Sequence, residues 1–372
     1  MTESLPQEAK EPARLMSVDA LRGFDMIWIC GGAGVISALE RLFTGHGGWL
    51  SRQFVHVEWA GMRFEDLIMP LFMFLAGVSL PFSVAGRLAK NPSKLHLWGH
   101  VLKRIALLWV FGMACQGNLF SWNPAEWKFY SNTLQAIAAG YLVATVLHLY
   151  ASIRWQAVAT AGLMLLSWAL FAWAPAPGGT PGDYSPDGNV AIWLDKFILG
   201  PHQDGTAYAW ILGSLNFGAT TMLGVFAGGL LRRRELSGNR KTLWLAGGGA
   251  AAIGLAFAWM PFHPLIKHLW TGSFVLLSGG LSLLLLALFY WVIDVRGWKR
   301  WSYFFTVIGV NAIAAYMLTE TWGTRMVSNP LVRGFHRWLP GDFQTLLQAV
   351  AEVAVLWVIL WHLHRQKIYL KV

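Results

Sequence analysis

Cysteine is nearly absent: Cys30 and Cys115 are the only two in 372 residues. Both fall inside apolar stretches, so no disulfide framework is expected. Each reads as a small packing residue, with Cys30 as a transient acyl acceptor the alternative. Charge is scarce too. Only 13% of the residues are charged while 55% are apolar, and the 22 Trp and 22 Phe exceed what a soluble core hides, which points to an integral membrane protein. No internal repeat is evident, which weighs against the inverted-repeat transporter designs. The opening MTESLPQEAKEPARL is polar and lacks an apolar region ending in a small-residue cleavage site, so no cleavable signal is expected. Nothing suggests a nucleic-acid module. The histidines at His148, His336, His362 and His364 read as interfacial; no pair has metal-ligand context, and no metal is expected.

Long apolar runs dominate what is present. Stretches able to cross a ~30 Å hydrocarbon layer fall near 24–40, 67–86, 105–120, 132–150, 156–174, 209–231, 243–260, 272–293, 302–322 and 343–362. The expected architecture is an all-α polytopic membrane protein with about ten transmembrane helices. It comprises a polar tail over 1–15 and a single bilayer-embedded domain over 16–372. With both termini cytoplasmic, 20 of the 29 Lys and Arg residues lie inside and 9 outside, as the positive-inside rule requires. The net charge of +10 then reads as a topogenic signal; a cytoplasmic funnel for a polyanionic cofactor is the sharper alternative. The outer loop 175–208 carries four Asp and one Lys and reads either as a binding wall or as a passive connector. Within it, Val190–Leu199 is expected to form a short amphipathic helix with Asp195 and Lys196 on its polar side. Gly224 and Gly228 have small-xxx-small spacing and are expected at a helix contact; Gly31, Gly32 and Gly34 are expected to allow close backbone approach.

The segment FVHVEWAGMRFEDLIMPLFMFLAGVSLPFS (54–83) places His56, Glu58, Arg63, Glu65 and Asp66 immediately before an apolar run. Ionisable groups at the edge of a span must be paired, face water or take part in chemistry, so this cluster is the first candidate site.

Six blocks, RLMSVDALRGFDM (14–26), HVEWAGMRFEDLIMPLFMFLAGVSLPFS (56–83), NTLQAIAAGYL (132–142), ILGSLNFGATTMLGVFAGGLL (211–231), PLIKHLWTGSFVLLSGG (264–280) and FFTVIGVNAIAAYM (304–317), occur in the order seen in one family. The chain resembles the heparan-alpha-glucosaminide N-acetyltransferase family along nearly its whole length, its bacterial NagX-like members most of all. That resemblance implies a multispan acetyltransferase of the bacterial inner membrane. Such an enzyme takes acetyl-CoA from the cytosol and passes the acetyl group to an amino sugar, glucosamine or a terminal glucosaminide, on the periplasmic side. The family's catalytic histidine, in an H-x-x-W-x-G pattern, falls on His56, followed by Trp59 and Gly61; the acid preceding its L-x-x-P segment falls on Asp66. Two departures stand out. An asparagine in the first span of the lysosomal enzymes corresponds to Cys30, and the D-P-E-G of many members is replaced by Ala207, Tyr208, Ala209 and Trp210. If those acids hold a cationic amino sugar, the acceptor of this chain differs.

Acyl transfer from a thioester needs a base, and histidine titrates near the operating pH. His56 is the candidate base, with Asp66 first and Glu58 second as the carboxylate that orients its ring; the alternative is a structural His56–Asp66 pair at a helix end. Glu58, Trp59, Arg63, Glu65, Asn132 and Gln135 lie near outer helix ends and are candidates to hold the acceptor, with interfacial anchoring the rival role for Trp59. On the inner side Arg22 reads either as a structural partner of Asp19, at i, i+3 spacing, or as a contact to a CoA phosphate. Lys267, Trp270, Ser273 and Asn311 sit in the shared blocks and are expected to line the path of the pantetheine arm. The competing functions are an O-acetyltransferase of an envelope glycan and a sugar transporter. The resemblance also makes a homodimer a candidate assembly.

The charge bias generates a direct test. Reporter fusions should place both termini in the cytoplasm and the 175–208 loop in the periplasm. A cytoplasmic 175–208 loop would overturn the topology.

Overall fold

A computed structural model describes residues 15–370; the polar tail, Leu15 apart, lies outside the described residues. Among these residues nine helices are long and apolar enough to cross a membrane: Met16–Thr44, Glu65–Lys90, Lys94–Gln116, Thr133–Tyr150, Ile153–Trp173, Gly213–Arg232, Gly238–Trp259, Gly272–Val295 and Gly341–Arg365. Tyr303–Gly309 and Ala312–Thr321 form a tenth segment bent by 75°. The chain is an all-α polytopic membrane protein. The expectation of an unbroken helix over 302–322 is corrected at its middle. At the bend, Asn311 Nδ2 donates to Ile368 O (3.0 Å) and Asn311 Oδ1 accepts from Leu370 N (3.0 Å), so the C-terminal segment takes up the interrupted helix's side-chain polar groups.

Polar side chains set the helix starts. Ser93, Asn132, Asn189 and Ser237 each accept a backbone N–H from the first turn of the helix they precede, which satisfies a donor that has no intrahelical partner. The first span is longer than its apolar run suggests. Asp19 and Asp25 are buried inside the bundle, and Arg22 bonds to Asp19, to the Ser79 hydroxyl and to Leu75 O. This span contains a π-helical turn at Trp28–Gly32, where Gly31 adopts φ 109°, a conformation that glycine tolerates.

Glu65–Lys90 occupies the centre of the bundle, with 78% of its apolar window buried, against 22% for Lys94–Gln116 and 17% for Gly341–Arg365. The latter helices keep apolar faces exposed, as lipid contact requires. The central helix packs on Gly213–Arg232 through glycine. A Cβ on Gly224 would sit 2.0 Å from Phe74 O, and one on Gly228 would sit 2.2 Å from Val78 O. This is the close contact anticipated from their spacing, and van der Waals packing of this kind holds helices together where lipid is as apolar as the side chains.

The chain leaving the first span is folded by Glu40, whose carboxylate accepts from Gly48 N (2.8 Å), Leu50 N (2.9 Å), Ser51 N (2.7 Å) and the Ser51 hydroxyl. The next segment is clamped at both ends by aromatic rings. Trp28 meets Phe54 at 5.1 Å and Phe64 at 5.4 Å, and Phe54 meets Phe64 at 5.4 Å. Residues 55–63 are thereby held as a loop over the start of the central helix.

The short helix Val190–Leu199 forms with the expected bounds, but Asp195 is not on a solvated face. It is fully buried and accepts from Trp210 N (2.6 Å) and Ile211 N (3.0 Å), while its neighbour Lys196 is exposed. Burial pushes the Asp195 carboxyl up to about 6, with the two N–H bonds opposing. The physical reason is that the loop's return to the bundle leaves two backbone donors that need an acceptor.

Gly224→Ala should force the central pair of helices apart and destabilise the protein by about 1–3 kcal/mol, as overpacking does. Gly229→Ala, whose Cβ would meet nothing within 4 Å, should be neutral or slightly stabilising. Thermal unfolding of the purified protein in detergent checks the contrast.

Candidate functional site

Asp66 lies in the first turn of the central helix with its side chain 1% exposed. A buried carboxylate is costly unless donors surround it, and here four do. His56 Nδ1 lies 2.9 Å and Lys267 Nζ 3.3 Å from Oδ1, while the backbone N–H groups of Arg63 (3.0 Å) and Val57 (3.4 Å) donate to Oδ2. Three of these donors, His56, Val57 and Arg63, belong to the 55–63 loop, so the loop is wrapped around the carboxylate. Arg63 secures the same loop by donating from Nη1 to Val55 O and His56 O, both at 3.2 Å.

Lys267 arrives by a separate route. Gly61 N donates to Leu265 O (2.8 Å), and Ala60 and Ile266 form an antiparallel bridge. The turn before Gly272–Val295 is therefore laid against the His56 loop, with Lys267 next in line. Lys267 Nζ is also 3.2 Å from His56 Nδ1. A carboxylate oxygen 2.9 Å from Nδ1 would repel a lone pair there, so Nδ1 carries the proton and donates to Asp66, and the ammonium also directs its proton to Asp66. Nε2 is then the free nitrogen, on a side chain 57% exposed. Burial pushes the Lys267 ammonium below its ordinary value, with the adjacent carboxylates of Asp66 and Glu65 opposing.

His56 and Lys267 line an open cavity of about 330 Å³. Part of its lining is apolar, formed by Ile29, Ile68, Met69, Phe72 and Ile137. Its walls carry Glu65, Gln116, Asp204, Thr206, Tyr316 and Glu320. Glu65 Oε2 is buried and has no hydrogen-bond partner among the described residues. Asp204, by contrast, is saturated by Gln203 Nε2, Thr206 N, Thr206 Oγ1 and Trp210 Nε1. One wall is aromatic: Tyr208 and Trp210 line it and stack at 4.7 Å, and Trp210 continues onto Tyr130 at 5.3 Å. Burial holds the Tyr208 hydroxyl well above its usual range, with the Asp66 charge adding to the effect. The loop 175–208 thus builds cavity wall through Asp204, Thr206 and Tyr208.

Of the remaining sequence-derived candidates Glu65 lines this cavity and the others do not. Glu58 is exposed, and Asp66 is the ring's carboxylate partner. Trp59 Nε1 donates to Tyr184 O (2.8 Å) and its ring stacks on His268 at 5.2 Å, so it ties the site loop to the 175–208 loop. Asn132 caps its helix and donates to Gln116 Oε1 and Tyr316 Oη, one layer behind two cavity residues. The Gln135 amide is taken up by Ser131 N and Phe129 O. Of the residues expected along the donor's path, Lys267 is in the His–Asp cluster. Trp270 is buried, donates to Thr220 Oγ1 and adopts φ 48°; Ser273 bonds to Pro264 O; Asn311 holds the C-terminal segment; Arg22 is bonded within the bundle. Cys30 is buried and accepts from Thr319 Oγ1 at 3.3 Å, as a packing residue would. Sequence reasoning missed Tyr208, Trp210 and Glu320. The first two carried a signal, because they lie in the Ala207–Trp210 stretch that replaces the D-P-E-G of the resembled family.

Comparison with known proteins bears on this geometry. The chain is 25% identical to the heparan-alpha-glucosaminide N-acetyltransferase of Mus musculus, over 96% of this chain and 60% of the relative. It is 26% identical to the protein of the same name from Homo sapiens, over 97% of this chain and 60% of that relative. The chain thus spans about 60% of the length of the curated relatives it matches. No family model matches the chain. Over nearly its whole length the chain is similar to these two heparan-alpha-glucosaminide N-acetyltransferases.

The pairing of Asp66 with Lys267 generates a thermodynamic cycle. Asp66→Leu or Lys267→Met alone strands a buried opposite charge and should cost about 3–5 kcal/mol. The double variant should be more stable than the sum of the single losses requires. Detergent unfolding of the four proteins measures this; strict additivity would show that the two side chains are not coupled.

Proposed function

We propose that the chain is a membrane acetyltransferase that moves an acetyl group from acetyl-CoA to the amine of an amino sugar, with His56 as general base. The observation that carries this reading is the Nδ1 contact to Asp66, which leaves Nε2 as the free nitrogen of a ring lining the cavity. The likeness to two proteins named N-acetyltransferases along nearly the whole chain supports the reaction class.

In the proposed reaction the acceptor nitrogen attacks the thioester carbonyl carbon, a C–N bond forms and the C–S bond breaks. His56 Nε2 takes the proton shed by the nitrogen, and coenzyme A leaves as the thiol once that sulfur is protonated. Asp66 holds the imidazole in the required tautomer and stabilises the imidazolium formed during transfer. Lys267 balances Asp66 and keeps a positive charge near the oxyanion that develops on the carbonyl oxygen. The aromatic wall offers a face for a sugar ring, and the unpartnered Glu65 Oε2 offers an acceptor for an ammonium or hydroxyl. The expected orientation makes this a two-sided reaction in a bacterial inner membrane, with donor from the cytosol and acceptor from the periplasm.

His56→Ala should insert and still bind acetyl-CoA, while acetyl transfer to glucosamine falls by the ~10²–10⁴-fold typical of losing a general base. Asp66→Asn should also impair transfer, and Cys30→Ser should retain most of it. The assay follows thiol release and the acetylated product together. Near wild-type transfer by His56→Ala would remove the base assignment, an ester product would point to an O-acetyltransferase, and sugar uptake without thioester consumption would point to a permease.

A further inference from the structure

At the far end of the central helix, a second cavity of about 130 Å³ opens between Glu65–Lys90 and Lys94–Gln116. It lies roughly 30 Å from Asp66 at the rise of an α-helix. Arg87, His100, Lys103 and Arg104 line it, with Tyr141 beside them. No carboxylate contributes to its lining among the described residues. Within the same limits, Arg87, Lys103 and Arg104 take part in no salt bridge. The Arg104 guanidinium lies 4.5 Å over the Tyr141 ring, and its Nε is buried without an acceptor.

Basic residues at span ends serve topology, but topogenic charges need only be near the interface. Here they converge on a concavity, and one is fixed in place by an aromatic face. Guanidinium groups so arranged match the geometry of phosphate oxygens. The surroundings indicate the source of the phosphate. Lys94–Gln116 exposes Leu95, Leu102 and Val110 and Thr133–Tyr150 exposes Leu142 and Val146, an apolar surface suited to acyl chains.

We propose that this cleft binds the phosphate group of an anionic phospholipid, with Arg87, Lys103 and Arg104 holding the headgroup and the exposed apolar faces beside it taking the chains. The site is distinct from the His56 cavity and does not depend on the reaction assigned there.

Native mass spectrometry of the full chain in detergent tests the site, with phosphatidylglycerol compared against phosphatidylcholine. Phosphatidylglycerol should be retained preferentially. Each charge removed at the membrane surface should weaken retention about fivefold. Arg87→Gln/Arg104→Gln should therefore lose roughly 25-fold, and the exposed Lys103→Gln about fivefold, which keeps the test available if the double variant fails to fold. Arg233→Gln/Arg234→Gln, an equal charge change outside the cleft, should retain the lipid. Equal retention of the two lipids, or equal losses from the cleft pair and the control pair, would overturn the site. Displacement of phosphatidylglycerol by inorganic phosphate or 3′,5′-ADP at matching concentration would overturn the lipid as its source and assign the cleft to a soluble phosphate.

Discussion

The buried charge of Asp66 is the constraint around which this end of the helix bundle is organised. A carboxylate with 1% exposure is tolerated only with several donors, and these come from two places in the chain: the 55–63 loop and the turn carrying Lys267. Satisfying one charge therefore fixes a loop, selects a histidine tautomer and joins segments some 200 residues apart. The helix position helps, since the first turn supplies free N–H groups and the positive end of the helix dipole. Burial of this kind makes poor stabilisation but good specification, because few alternative packings satisfy all four donors.

Interruptions in helices shape the cavity above that charge. The π-helical turn at Trp28–Gly32 carries Ile29 of the cavity lining, and the bend at Asn311 sets the direction of the segment bearing Tyr316 and Glu320. Continuous helices would have packed along their whole length. Irregular backbone inside a membrane domain needs internal partners, and the Asn311 amide supplies them by bonding the C-terminal segment.

Recognition at the cavity differs from what the family pattern implies. In the stretch where Ala207 and Ala209 replace the acids of the D-P-E-G pattern, their neighbours Tyr208 and Trp210 build an aromatic wall, while Glu65 and Glu320 supply carboxylates from other elements. An acceptor with an apolar ring face and a cationic or hydroxyl edge fits this distribution of chemistry. The basic cleft at the opposite end of the central helix has the reverse character, cationic and open toward lipid-facing surface, so the two ends of one helix present opposite recognition chemistry.

Much of this was legible in the residues. Apolar runs located the spans because crossing hydrocarbon demands about twenty apolar positions whatever the neighbours are, and Val190–Leu199 was bounded correctly by its cap and periodicity. His56 and Asp66 stood out because charge beside a span is costly. The continuity of the 302–322 helix and the exposure of Asp195 were misjudged. In both, a backbone or side-chain group is satisfied by a partner distant in sequence: residues 368 and 370 for Asn311, residues 210 and 211 for Asp195. Lys267 was named only as a residue of a shared block, and its place beside Asp66 rests on the contact of residues 60–61 with 265–266, which leaves no local pattern. The sequence by itself determined class and the approximate number of spans and pointed to the His56–Asp66 pair, since those follow from hydrophobicity and charge read locally. Only the tertiary structure decided the third member of the cluster, the aromatic wall and the helix bends, because long-range hydrogen bonds and packing are set by which segments meet in space.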